Sequence, residues 1–328
     1  PVGLFLAGIY ALYAYMLRSF DRLLLLLMAL TSIGPTTLNI VVPALPNLAN
    51  RLASDVGTIQ LIVSIYLLAM AAGQLLMGSL SDRFGRRPVL IVALSVTAGA
   101  SVSAVLISTV ESLIAARILQ AVGASAGVVI SRAIIRDLFD RNRAASMLGL
   151  VATVMAVVPT LGPLIGGLLE TGFGWEAIFL FTAITSTLVV TWAAITLPET
   201  RGLNVQHGAR EGFFRDLARL SRSARFAGFV LAGAFGSATF FAFLGGGAHV
   251  VVTLMGRSPA EYGAWFALSS IGYITGNFIS SRLSMSYGIH RMIWAGIIIE
   301  VLGVALSTAL TAFALNWGPL IVFAPQMI

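Results

Sequence analysis

Two ionisable side chains lie inside long apolar runs, and they define the chemistry available to this chain. Arg117 sits in Arg117-Ile118-Leu119-Gln120-Ala121-Val122-Gly123, and Glu300 sits between Ile299 and Val301. A charge in hydrocarbon costs several kcal/mol, so such residues mark pathways, relays or binding sites unless they escape to an interface. For Arg117 two outcomes are open: pairing with a polar group on another segment, or snorkelling to the nearer interface. Asn39 lies at matching depth in its own segment. For Glu300, desolvation favours the neutral form, so the side chain can carry a proton; the alternative is a neutral, hydrogen-bonded structural acid. No other cluster competes with these two. The chain has no Cys, and His207, His249 and His290 are scattered without ligand spacing, so neither thiol chemistry nor a metal site is expected. No segment offers a nucleophile with a base, or a filter-like loop, so neither an intramembrane enzyme nor a channel is expected, and no cofactor is called for.

The elements holding these residues follow from composition. Hydrophobic residues make up 58% of the 328, charged residues only 10%, and the mean hydropathy is +0.95. Soluble domains carry about 25% charged residues. Crossing a hydrocarbon core takes about 20 apolar residues, and runs this long without alternation are helices rather than barrel strands. The pattern predicts an all-α polytopic membrane protein with spans near 22–42, 58–80, 88–109, 112–134, 145–169, 176–197, 226–254, 260–281 and 292–314, and the start of a tenth near Trp317. The formal charge of +7 sets 20 arginines, with no lysine, against 13 acidic residues. All but Arg51, Arg117 and Arg257 fall in alternate loops, which places the N-terminal end of the first span in the cytoplasm and argues against nucleic acid as partner.

The organisation read from this pattern has four parts. Residues 1–21 form an apolar segment and lead-in, either an interfacial helix or sequence outside the native start. Residues 22–197 form a six-helix half, and 198–225 an arginine-rich linker, which either lies on the anionic inner leaflet or is solvated. Residues 226–328 form an incomplete second half. Gly78-x-x-x-Asp82-Arg83-x-Gly85-Arg86-Arg87 after the second span is echoed faintly by Gly276, Arg282 and Gly288-Ile289-His290-Arg291 after the eighth, the mark of repeated halves.

Gly78 lets its helix approach a neighbour closely. Asp82 falls at a helix C-terminus, where the dipole disfavours an anion, so it needs a nearby Arg or another helix's N-terminus. The stretch Gly78 to Pro88 resembles the loop signature of the major facilitator superfamily, and Arg117 to Gly123 resembles its second signature. In the fifth span, Pro159, Gly162, Pro163, Gly166 and Gly167 resemble the signature of the antiporter branch; proline bends a helix and glycines four apart pack closely. Gly272 and Gly276 in the eighth span offer a facing pair. Asn39-Ile40-Val41-Val42-Pro43-Ala44-Leu45-Pro46, with Gly174-Trp175-Glu176 and Leu197-Pro198-Glu199-Thr200, is similar to the Bcr/CflA-like group of drug/proton antiporters.

The resemblance implies two six-helix halves, with this chain stopping inside the tenth of twelve spans. It implies a cytoplasmic latch at Gly78, Asp82, Arg83, Gly85 and Arg87. It also implies a monomeric bacterial inner-membrane exporter of lipophilic drug-like compounds, exchanging them for protons by alternating access and surrounded by lipid; the alternative is export of a metabolite or sugar with different or no proton coupling. Substrate and coupling residues are expected among Thr36, Asn39, Tyr66, Gln74, Arg117, Gln120, Phe240, Phe243 and Glu300. Many members carry an acid where this chain has Asn39, which cannot release a proton.

Overall fold

The computed structural model describes residues 22–201, 220, 222–313 and 317–327. Residues 1–21 and most of the linker, whose placement was anticipated above, lie outside them. Every regular element among the described residues is helical. In chain order these are α1 (22–39), α2 (Val56–Phe84), α3 (Arg86–Val105), α4 (Val110–Leu138), α5 (Arg141–Phe173), α6 (Trp175–Thr196), α7 (Ala224–Ala248), α8 (Pro259–Tyr287), α9 (Ile289–Phe313) and the short α10 (Leu320–Phe323). Eight are long and apolar enough to cross a membrane. α8 matches them in length but carries Ser269, Ser270, Thr275 and Ser280, and is not among the eight.

Local sequence explains the breaks. After α1 the run Val41-Val42-Pro43-Ala44-Leu45-Pro46 cannot continue an unbroken helix, because each proline lacks an N–H donor. Proline is tolerated in a first turn, so the chain restarts as a 3₁₀ turn (Val42–Ala44) and a short helix (Leu45–Arg51). Asp55 then caps α2, accepting from the Thr58 N–H at 3.0 Å. That cap and the Thr58 hydroxyl hold the Asp55 carboxyl below its ordinary range. Thr109 and Ser223 cap α4 and α7 in the same way. At the end of α7, Gly245-Gly246-Gly247 leads into a π-helical turn, His249–Leu254, in which Met255 N–H donates to Val250 O.

Backbone contacts sort the chain into two compact units. The first holds α1, residues Leu61–Pro159 and the chain from Glu176 through the end of α6. Its core joins Leu26, Leu27 and Leu30 of α1, Leu90 and Leu94 of α3, Ile130 and Ile134 of α4, and Val190 and Ala193 of α6. The second holds Ile40–Gln60, Thr160–Trp175 and α7 to α10. Thus α2 and α5 each give one end to the second unit.

Candidate functional site

The guanidinium of Arg117 is completely buried in the first unit, so it does not snorkel. Its Nη1 donates to Thr37 O at 2.9 Å and to Gln120 Oε1 at 3.0 Å, and its Nε to Ile62 O at 3.5 Å. Its carbon lies 4.1 Å from the centre of the Tyr66 ring. No carboxylate among the described residues pairs with it. Carbonyl dipoles from α1 and α2, one amide side chain and a π face substitute for a counter-ion. Around it, the Tyr66 hydroxyl donates to Gly34 O at 3.0 Å, and Asn39 Nδ2 donates to Pro35 O at 2.7 Å. Gln120 is locked in turn, donating to Ser101 Oγ at 2.8 Å, while Thr97 Oγ1 donates to Gln120 O.

Two atoms of opposite sense remain without a hydrogen-bond partner in this interior, Arg117 Nη2 and Asn39 Oδ1. Asn39, Tyr66, Arg117 and Gln120 are all enclosed, whereas Thr36 and Gln74 are half-buried. The first four therefore form an internal polar knot that ties α1, α2, α3 and α4.

At the arginine-rich end of the same unit, the loop signature is built around Arg86, which the sequence reading did not single out. Arg86 pairs with Asp82 and, at 3.1 Å, with Asp137 at the end of α4, and reaches Ser81 Oγ at 2.8 Å. Asp82 thus finds the nearby arginine it was expected to need. Arg83 instead lies over the Phe84 ring, and Arg87 Nη2 donates to Ala194 O on α6. Gly85 has φ +102°, and a methyl group there would sit 2.6 Å from the Glu199 carboxylate, so two constraints select glycine. Glu199 accepts from the backbone N–H groups of Arg86 and Arg87 at the start of α3 and from Arg201. Partial burial alone would raise its carboxyl, but these N–H groups, with that of Thr200, hold it below its ordinary range. Gly78 makes only an ordinary contact with Val129; the close approach of α2 to α4 is at Gly73, where a methyl group would be 3.1 Å from the Val122 backbone.

In the second unit, the end of α5 is tightly held. A methyl group at Gly166 would collide with Ile40 O, and one at Gly167 with Pro259 O. Gly263 of α8 meets Pro163 O in the same way, and Ala260 N–H donates to Thr171 Oγ1. So α5 does pack on α8, but at the first turns of α8. Gly272 instead meets the Met327 backbone, and Gly276 has open space around it. α5 also runs past its predicted end, which brings in a buried carboxyl: Glu170 Oε1 accepts from Asn47 at 2.7 Å. A longer reading of the fifth span would have found it. Phe243, Tyr262, Trp265 and Phe266 surround Phe323 with ring centres 5.6–6.5 Å apart, and the more exposed Phe240 adjoins Phe266. The Glu300 carboxyl lies against Gly236 of α7, 3.7 and 3.9 Å from where a methyl group there would sit. No hydrogen bond among the described residues reaches it.

Residues 24–324 match the family described as the Major Facilitator Superfamily. The chain is 31% identical to an uncharacterized MFS-type transporter, YdgK, of Bacillus subtilis over 88% of this chain and 70% of that one. It is 33% identical to Multidrug resistance protein D of Escherichia coli (75% and 65%) and 32% identical to a Chloramphenicol resistance protein of Pseudomonas aeruginosa (88% and 67%). It thus spans about two thirds of the length of these relatives. Among solved structures, an inward-facing bacterial homolog of the human lysosomal transporter Spinster aligns with TM-score 0.73 at 17% identity, covering 94% of this chain and 71% of that one. A D-xylose-proton symporter aligns with TM-score 0.69 at 14% identity (94% and 78%). With the arginine-centred loop, the buried Arg117 and the glycine-packed α5 in place, the chain belongs to the Major Facilitator Superfamily: it is a transporter and not an enzyme.

Proposed function

We propose that this chain exports lipophilic, drug-like small molecules by alternating access in exchange for protons, as a Bcr/CflA-like monomer in a bacterial inner membrane. The reading rests on one observation above the others: at about one third identity, the chain resembles two proteins named for multidrug and chloramphenicol resistance. The aromatic group around Phe323, with Phe240 exposed at its edge, offers surface to a flat apolar compound. The rigid contacts of Gly166 and Gly167 suit a seal that forms and breaks as a unit. The arginine-rich loop ends favour a cytoplasmic N-terminal end of α1, and the Arg86 cluster would serve there as the latch.

The direct test is reconstitution of the full-length protein into proteoliposomes, following chloramphenicol and ethidium under an imposed pH gradient. Gradient-dependent movement of either compound, with matching proton counterflow, is the expected result. If neither compound moves while a sugar or metabolite does, the drug reading fails.

A further inference from the structure

The resident amide at position 39 leaves the first unit without a proton carrier beside Arg117, and the second unit supplies one. We propose that Glu300 is the group that binds and releases the exchanged proton; this rests on the exporter reading above.

Helix geometry places Glu300 on the inner face of α9. Along that helix, Ile293, Ile297, Glu300, Gly303, Val304, Ser307 and Thr311 are buried or half-buried, a spacing of three and four residues. Ile298, Ile299, Val301 and Leu302 between them are exposed. This is the inward stripe of a one-sided helix. Its members make the contacts expected of it: Ser307 Oγ donates to Val322 O at 3.2 Å, and a methyl group at Gly303 would sit 2.9 Å from Pro325 O. Glu300 stands one turn before Gly303 and places its carboxyl over Gly236, where the missing side chain of α7 leaves room. The carboxyl, itself half-buried, thus lies beside α7 within an apolar span.

Among the described residues, no cation is paired with this carboxyl. α7 from Phe226 to Ala248 and α10 with its following turn to Met327 have no ionisable side chain. On α9 itself, His290 and Arg291 are at the first turn, and His290 stacks on Phe229 at 5.9 Å. α8 also packs on α9 and carries Glu261, Tyr262, Tyr273, Arg282 and Tyr287. Tyr262 donates to Leu244 O, and Glu261 lies 3.9 Å from Arg257. None of the five bonds to Glu300. An unpaired charge is expensive inside an apolar span, which marks such a residue for function. When α7 and α9 part and water enters, the O–H bond breaks, the proton passes to water, and a hydrated carboxylate remains. Uptake on the other side reverses the step.

The test uses the full-length protein, comparing wild type with Glu300→Gln, an isostere of the protonated acid, and Glu300→Asp. Difference infrared spectra across a pH titration should show a protonated-carboxyl band in wild type that is missing from Glu300→Gln and retained, shifted, in Glu300→Asp. In proteoliposomes, Glu300→Gln should lose pH-gradient-driven chloramphenicol movement while keeping gradient-free chloramphenicol exchange, which also reports intact folding. An unchanged band in Glu300→Gln, or gradient-driven movement equal to wild type, overturns the proposal while leaving the exporter reading standing. A wild type that shows the band yet moves neither chloramphenicol nor ethidium overturns the exporter reading, and the coupling role with it, though not proton binding at Glu300.

Discussion

The Arg117 guanidinium lies 4.1 Å above the centre of the Tyr66 ring, and both side chains are fully buried. The ring and the carbonyls of Thr37 and Ile62 do what a carboxylate does elsewhere, without being able to take up a proton. The two roles of Tyr66 are separable by substitution. Tyr66→Phe keeps the π face and loses only the hydroxyl bond to Gly34 O, a cost of about 1 kcal/mol. Tyr66→Leu loses the π face too, a further ~2 kcal/mol for a desolvated cation. Thermal unfolding in detergent should rank them wild type, Phe, Leu.

A buried charge is costly to keep and is often replaced by an apolar residue without loss of stability. Arg117→Met should therefore leave the melting temperature near that of wild type, while substrate movement in proteoliposomes falls to background. A strongly lowered melting temperature would instead make Arg117 a structural tie.

Glu199 links the end of α6 to the start of α3 through backbone N–H groups. Its carboxyl is held below the ordinary value of 4.5 in the folded protein. The stabilisation is therefore present at neutral pH and lost as the pH falls through that lowered folded-state range. The melting-temperature difference between wild type and Glu199→Gln should be largest at neutral pH and shrink on acidification. A difference that grows in acid would contradict the assignment.

Glycines that look alike in the sequence should behave differently. Gly166→Ala meets the Ile40 carbonyl and cannot be relieved by a side-chain rotation, so it should cost about 3 kcal/mol. Gly276→Ala meets nothing within 4 Å and should be silent or slightly stabilising. Expression level and thermal unfolding of the two variants decide this.

Most of the helices could be read from apolar run length, because bilayer thickness fixes that length whatever the helices pack against. The ends were harder. α5 extends to Phe173 because Gly166, Gly167 and Glu170 are held by neighbours distant in sequence, and no local pattern reports those contacts. For Arg117 the sequence left burial and snorkelling both open, and it could not show the partners, since two of them are backbone carbonyls, which every residue has. Likewise, the loop pattern drew attention to Asp82 but could not show which of three adjacent arginines would turn toward it. Only the φ of Gly85 and the direction of the first turn of α3 decide in favour of Arg86. The pairing of Gly166 and Gly167 with Ile40 and Pro259, rather than with Gly272 and Gly276, is of the same kind: glycine spacing says that a close approach is possible, not which backbone comes.

The π-helical turn at His249–Leu254 holds more residues than an α-helical turn over the same rise. One extra residue turns everything beyond it by about 100° relative to an unbroken α-helix. Counting three and four residues through this turn therefore assigns the wrong side of the chain to whatever follows. Phe240 and Phe243 before the turn and Tyr262, Trp265 and Phe266 after it therefore meet in one ring group only with this added rotation between them.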